Sequence, residues 1–171
     1  MIYNTPFRKI DSYDIEYAEV KKEGAIIFGT GNLGSLCLHS LKKKNINPIC
    51  FVDNNFSNWD KKFNGYDVIS PEQLKEKYSN KHVFISSLNF KYLKRQLESL
   101  GIKNIHYCDD LFSNFDLDGS NTTWSHDRCK VQLDLYNFAI ISFQDKKKLS
   151  IQSLDLVLTE KCSLKCKDCS N

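Results

Sequence analysis

Short apolar runs alternate with amphipathic stripes through the middle of this chain. Gly24-Ala25-Ile26-Ile27-Phe28 reads as a buried strand. Leu33, Leu36, Cys37, Ser40 and Leu41 then fall at i, i+3, i+4, i+7 and i+8, which is one face of a helix. Ile49-Cys50-Phe51-Val52-Asp53 is a second apolar run. Ser70-Pro71-Glu72-Gln73 begins a helix by a known mechanism: Ser70 caps, Pro71 fits the first helical position, and Gln73 reaches back. A strand from His82 to Ser87 follows, then a stripe of Phe90, Leu93, Leu97 and Leu100 that Gly101 ends, then a strand at Ile105-His106-Tyr107-Cys108. Alternation of this kind over residues 24–108 predicts an α/β fold, a doubly wound parallel sheet with helices on both faces.

The flanks are less regular. Residues 10–22 are weakly helical, with Tyr13, Tyr17 and Val20 on one side. Residues 116–127 are polar and read as a linker. A helix follows over about 128–143, with Val131, Leu135, Phe138 and Ile141 sharing a side. Lys146-Lys147-Lys148 breaks it, and Leu154-Asp155-Leu156-Val157-Leu158 reads as a last strand. The expected organisation is a domain over 1–115, a linker and helix over 116–150, and the start of a second domain over 151–171.

Composition narrows the function classes. With 171 residues, 41% hydrophobic and 12% aromatic, the chain can bury a core. A net charge of +3, with lysines spread out and no aromatics interleaved in a basic stripe, excludes a nucleic-acid partner. Four of the seven cysteines (Cys37, Cys50, Cys108, Cys129) lie apart in apolar or mixed segments and behave as small hydrophobes. The other three cluster. That is the usage of a reducing compartment. The N-terminus has no apolar core for a signal peptide, and no stretch is long enough to span a bilayer, so a cytoplasmic protein without a membrane partner is expected.

Two motifs carry chemistry. The first is Gly29-Thr30-Gly31-Asn32-Leu33-Gly34, set between a strand and a helix. In such a loop Gly29 permits the tight turn, Gly31 lets backbone approach a pyrophosphate, and Gly34 lets helix and strand pack closely. Asp53, 19 positions beyond Gly34, would accept hydrogen bonds from a ribose diol. The plainer reading is that the glycines serve only the turn and Asp53 only ends its strand. Ser86, Ser87 and Asn89 end the next strand at the same edge, where they suit a cap for the helix at Phe90 better than a lining for a crevice. The segments Ile26–Gly34, Phe51–Asn54 and Gly65–Pro71 resemble the Rossmann-like domains at the front of bacterial sugar acetyltransferases and in polysaccharide-locus proteins. That resemblance implies a nucleotide or nucleotide-sugar ligand. An NAD-dependent reductase is an alternative, although no placed Tyr/Lys pair for hydride transfer is evident.

The second motif is Cys162-x3-Cys166-x2-Cys169, directly after the last apolar strand. Thiolates suit iron–sulfur clusters and zinc. A structural zinc site wants four ligands, so His126 or Cys129 would have to fold back. Three thiolates alone suit a [4Fe-4S] cluster with one open iron. A strand feeding such a loop resembles the opening of the radical S-adenosylmethionine (radical SAM) enzymes. The resemblance implies Cys162, Cys166 and Cys169 as cluster ligands and S-adenosylmethionine as co-substrate. It further implies a flavodoxin- or ferredoxin-type electron donor and a small-molecule substrate, with a sugar nucleotide as the candidate. The family commonly has an aromatic residue before the third cysteine, where this chain has Asp168. Because the sequence ends two residues after Cys169, the barrel would be truncated to its first strand and cluster loop. The expectation is the front of a longer enzyme, with no catalytic residues of its own and no turnover from these residues alone. A binding module with a vestigial or zinc-binding tail is the competing reading.

Overall fold

A computed structural model describes residues 2–3, 15–112 and 115–144. In chain order the elements are β1 (Ile2–Tyr3), α1 (Tyr17–Glu23), β2 (Ala25–Phe28), α2 (Asn32–Lys43), β3 (Phe51–Val52), β4 (Lys62–Phe63), β5 (Tyr66–Ile69), α3 (Pro71–Tyr78) and β6 (His82–Ile85). They continue with α4 (Phe90–Ser99), β7 (Ile105–Tyr107), α5 (Asp109–Phe112), β8 (Phe115–Asp116) and α6 (His126–Gln144). Cys162, Cys166, Cys169 and the strand expected before them lie outside the described residues.

Among the described residues the main sheet has six strands, in the order β4-β5-β3-β2-β6-β7. β5, β3, β2, β6 and β7 run parallel, and β4 pairs antiparallel with β5. The fold is therefore α/β with a mixed sheet, where a purely parallel one was expected. The antiparallel strand comes from a hairpin whose turn residues, Asn64 and Gly65, both have positive φ (50° and 86°). An Asn-Gly pair is the preferred sequence for such a turn. The hairpin, with a 3₁₀ turn before it, fills the β3–β5 crossover where a helix would otherwise lie. Phe63 and Tyr66 of the hairpin pack edge-on to Phe51 of β3.

Both faces of the sheet are covered, so the central strands read as unbroken apolar runs. Every residue of β2 and β6 is buried. His82, the polar exception in β6, sits with Nδ1 2.8 Å from His106 Nε2 and Nε2 3.2 Å from Glu23 Oε2. α2 buries Leu33, Leu36, Cys37, Ser40 and Leu41, the stripe expected of it. The Ser70/Gln73 capping box at α3 is complete, with Gln73 N–H donating to Ser70 Oγ (3.2 Å) and Ser70 N–H to Gln73 Oε1 (3.0 Å). Cys37, Cys50, Cys108 and Cys129 are buried free thiols, and burial pushes Cys50 up to about 12, so these act as core residues.

Two features of the C-terminal part differ from the sequence reading. The polar stretch taken for a linker is tied down. Its start pairs with β1 (Ile2↔Asp116), Leu117 is buried, and Asn121 and Thr123 bond to Asn64 and Asn32. α6 is a helix as expected, but it turns a different face inward. Cys129, Leu133, Tyr136 and Ile140 are buried in the core, whereas Val131 is 54% exposed. The physical reason is one side chain, Tyr136, whose hydroxyl donates to the Ile85 carbonyl and accepts from Cys108 N–H (3.0 Å), both at the ends of sheet strands. Among the described residues no helix is long and apolar enough to cross a membrane.

Candidate functional site

The strand order reverses at β2: β3 lies on one side of it and β6 on the other. Chain segments leaving β2 and β6 therefore diverge, and a crevice opens at their carboxyl ends. It has a volume of about 530 Å³ and is lined from the glycine loop, Asp53–Asn54, Ser86–Asn89, Tyr92, Trp124 and Gln132. The structure thus brings Gly29, Gly31 and Asp53 to one cavity, while Gly34 sits just behind it.

The three glycines differ in what the fold asks of them. Gly29 has φ +121°, and a Cβ there would lie 2.9 Å from Ser86 Oγ and 3.1 Å from the Ser86 carbonyl oxygen, so only glycine fits. At Gly34 a Cβ would run into the Gly29 carbonyl oxygen, because the first turn of α2 packs directly on the loop. Gly31 is under neither constraint. Its φ of −89° and ψ of −170° suit any residue, and a Cβ would meet nothing within 4 Å. Gly31 is the N-cap of α2, with no side-chain cap and no acidic residue in the first turn. The first turn of α2 thus begins uncapped beside open space, with the positive end of the helix dipole there.

Asp53 is occupied within the chain. Its Oδ2 accepts from Thr30 N–H (3.0 Å) and from the Thr30 hydroxyl, and its Oδ1 accepts from Asn55 N–H (2.8 Å). Asn58 Nδ2 donates to the same Thr30 hydroxyl (2.9 Å). A carboxylate offers about four acceptor positions, so at most one is left for a ligand. The first job of Asp53 is to clamp the glycine loop to the end of β3.

On the other wall, Ser86 does not face a ligand. Its hydroxyl donates to the Phe28 carbonyl (2.9 Å) and fixes β6 against β2. Asn89 was expected to cap α4, yet its side chain makes no cap bond. Ser87 Oγ instead accepts from Asn89 N–H (3.2 Å), and Ser87 and Asn89 both line the crevice. A second helix start, also without an acidic residue in its first turn, thus reaches the cavity. Among the described residues no lysine or arginine lines the cavity, and backbone amides and small polar side chains supply the positive potential there.

A family model described as C2185-like, N-terminal matches residues 21–107, about half of the chain. The chain belongs to the C2185-like N-terminal family. The C2185-like match runs from within α1 to the end of β7, so it contains the glycine loop, Asp53 and the serine wall. Trp124 and Gln132 lie beyond it, although they complete the same cavity. The curated proteins compared with the chain give no match.

Sequence reasoning missed Trp124, Tyr92 and Gln132. Trp124 stands in a polar stretch with no periodicity, and its signal was only that a tryptophan is out of place there. Tyr92 lies on the exposed side of α4, where an aromatic ring lacks a packing reason. Among the described residues no group of three or more His, Cys, Asp or Glu side chains is arranged to hold a metal ion.

Proposed function

We propose that the crevice binds a nucleotide or nucleotide-sugar through its phosphates, and that this Rossmann-like domain is the front of a radical SAM enzyme. The observation that carries the binding reading is Gly31: the fold leaves the space beside it open, directly before the first turn of α2, which no N-cap side chain caps. A phosphate there would take its hydrogen bonds from backbone N–H groups and the helix dipole. The α4 start would hold a second phosphate or the attached sugar.

The decisive variant is Gly31→Asp. Aspartate is among the best N-cap residues, so α2 should be unharmed or slightly steadier. A carboxylate in the phosphate position, however, costs several kcal/mol of like-charge repulsion. UDP titrated into the full chain is expected to bind about 100-fold more weakly to Gly31→Asp, with an unchanged melting temperature. Equal affinity in both proteins would remove the phosphate site from Gly31.

The second half of the proposal rests on Cys162, Cys166 and Cys169. In the enzymes this run resembles, the cluster's open iron holds S-adenosylmethionine, and one-electron reduction of that complex generates the organic radical. This chain's contribution would be three thiolates that fix the cluster and leave one iron free. Anaerobic reconstitution of the full chain with iron and sulfide is expected to give an iron–sulfur absorption band that Cys166→Ala abolishes. Stoichiometric zinc uptake with no iron would favour a structural zinc tail instead.

A further inference from the structure

We infer that Trp124 and Tyr92 form a ring-binding wall in the crevice, which makes its ligand a nucleoside diphosphate and not merely a phosphorylated sugar. The inference rests on the phosphate reading above and adds the other end of the ligand.

The cavity has two kinds of lining. The glycine loop contributes backbone and small polar groups. Trp124, Tyr92 and Leu88 contribute large apolar ones, with Tyr92 65% and Leu88 45% exposed. Large apolar groups exposed together beside a cavity mark a place where something flat and apolar is bound. A cavity of about 530 Å³ is within the range of small-ligand sites.

Trp124 is also fixed in position. Its neighbour Thr123 is held by the Asn32 side chain, with Asn32 Nδ2 donating to Thr123 Oγ1 (3.0 Å) and Thr123 N–H to Asn32 Oδ1 (3.3 Å). Asn32 is the first residue of α2, next to Gly31, so the tryptophan is tethered to the phosphate end itself. The Arg128 guanidinium sits 5.6 Å from the Trp124 ring centroid, a cation–π contact that steadies the indole. Gln132, farther along α6, lines the same cavity with an amide that can both donate to and accept from the edge of a base. With most of the Asp53 carboxylate already used by Thr30 and Asn55, ring stacking carries recognition that a ribose contact would otherwise provide.

The test is titration of the full chain with UDP, ADP and inorganic pyrophosphate. Stacking of a base on an aromatic side chain, removed by alanine, weakens binding by roughly 5- to 150-fold. Trp124→Ala should therefore weaken UDP and ADP by that factor and leave pyrophosphate within about twofold. Tyr92 is exposed, so Tyr92→Ala cannot unfold the protein, and it should weaken the nucleotides in the same direction. Should Trp124→Ala fail to fold, Tyr92→Ala decides alone. Full nucleotide affinity in the folded alanine variants overturns the ring wall. If Gly31→Asp still weakens binding by about 100-fold in that case, the phosphate reading stands and only the wall falls. If neither nucleotide binds the unmodified chain, both are wrong.

Discussion

Gly34→Ala is expected to destabilise the protein by about 3 kcal/mol, although glycine-to-alanine inside a helix normally stabilises by roughly 1 kcal/mol. The sign inverts because the new methyl group would meet a backbone oxygen, that of Gly29, and backbone cannot rotate out of the way as a side chain can. Nor can Gly29 withdraw. Its N–H is bonded to the Val52 carbonyl at 2.8 Å, and Ser86 closes the opposite side. The alternatives are to lift α2 off β2 or to break the loop's bond to β3. For a chain of this size such a loss lowers the melting temperature by about 10 °C. Thermal unfolding followed by circular dichroism measures it. A melting temperature equal to that of the unmodified protein would mean that the loop and helix do not pack as described.

The second large effect is expected from Tyr136→Phe, which removes one oxygen atom. The ring would keep its edge-on contacts with Phe112 and Phe90, at centroid distances of 5.2 and 6.4 Å. Lost would be the donor to the Ile85 carbonyl and the acceptor for Cys108 N–H. The buried Cys108 N–H would lose its acceptor, while the Ile85 carbonyl would keep the weak Cys108 thiol donor at 3.4 Å. A buried polar group without a partner costs about 1–3 kcal/mol, so roughly 2 kcal/mol should go in total. Burial pushes the Tyr136 phenol well above its usual range, so it remains a protonated donor at any working pH. The unfolding midpoint in urea is the readout. The variant also asks whether α6 is an independent connector. If it were, loss of one hydroxyl from its middle would leave the stability of the sheet unchanged.

What the sequence revealed follows from how local each signal is. The α3 capping box needs only Ser70, Pro71 and Gln73, adjacent in the chain, and the structure has it bond for bond. The glycine loop is likewise local, since a strand, three glycines and a helix stripe all lie within residues 24–41. The inward face of α6 is not local. That helix has two apolar stripes, one through Val131 and Leu135 and one through Cys129, Leu133 and Ile140. Periodicity cannot choose between them. The choice is made by the hydroxyl of Tyr136 reaching two strand ends, at sequence separations of 51 and 28. The β4–β5 hairpin was legible in principle from Asn64-Gly65 and went unread because a helix was expected in every crossover. The ring wall was hidden for a different reason. Trp124, in the bend before α6, and Tyr92, on α4, come to one cavity only after the sheet, α4 and α6 are all in place.

The small ribbon of β1 and β8 has a consequence for the order of assembly. Ile27 and Phe51 pair across 24 positions of chain, whereas Ile2 and Asp116 pair across 114. Closing the longer loop in an unstructured chain costs about 1.4 kcal/mol more in entropy. Among the described residues it is rewarded by two residue pairs. A contact so remote and so small cannot nucleate folding. It becomes affordable only once the main sheet has drawn its own ends together, and the ribbon is then the last part to close and the first to open.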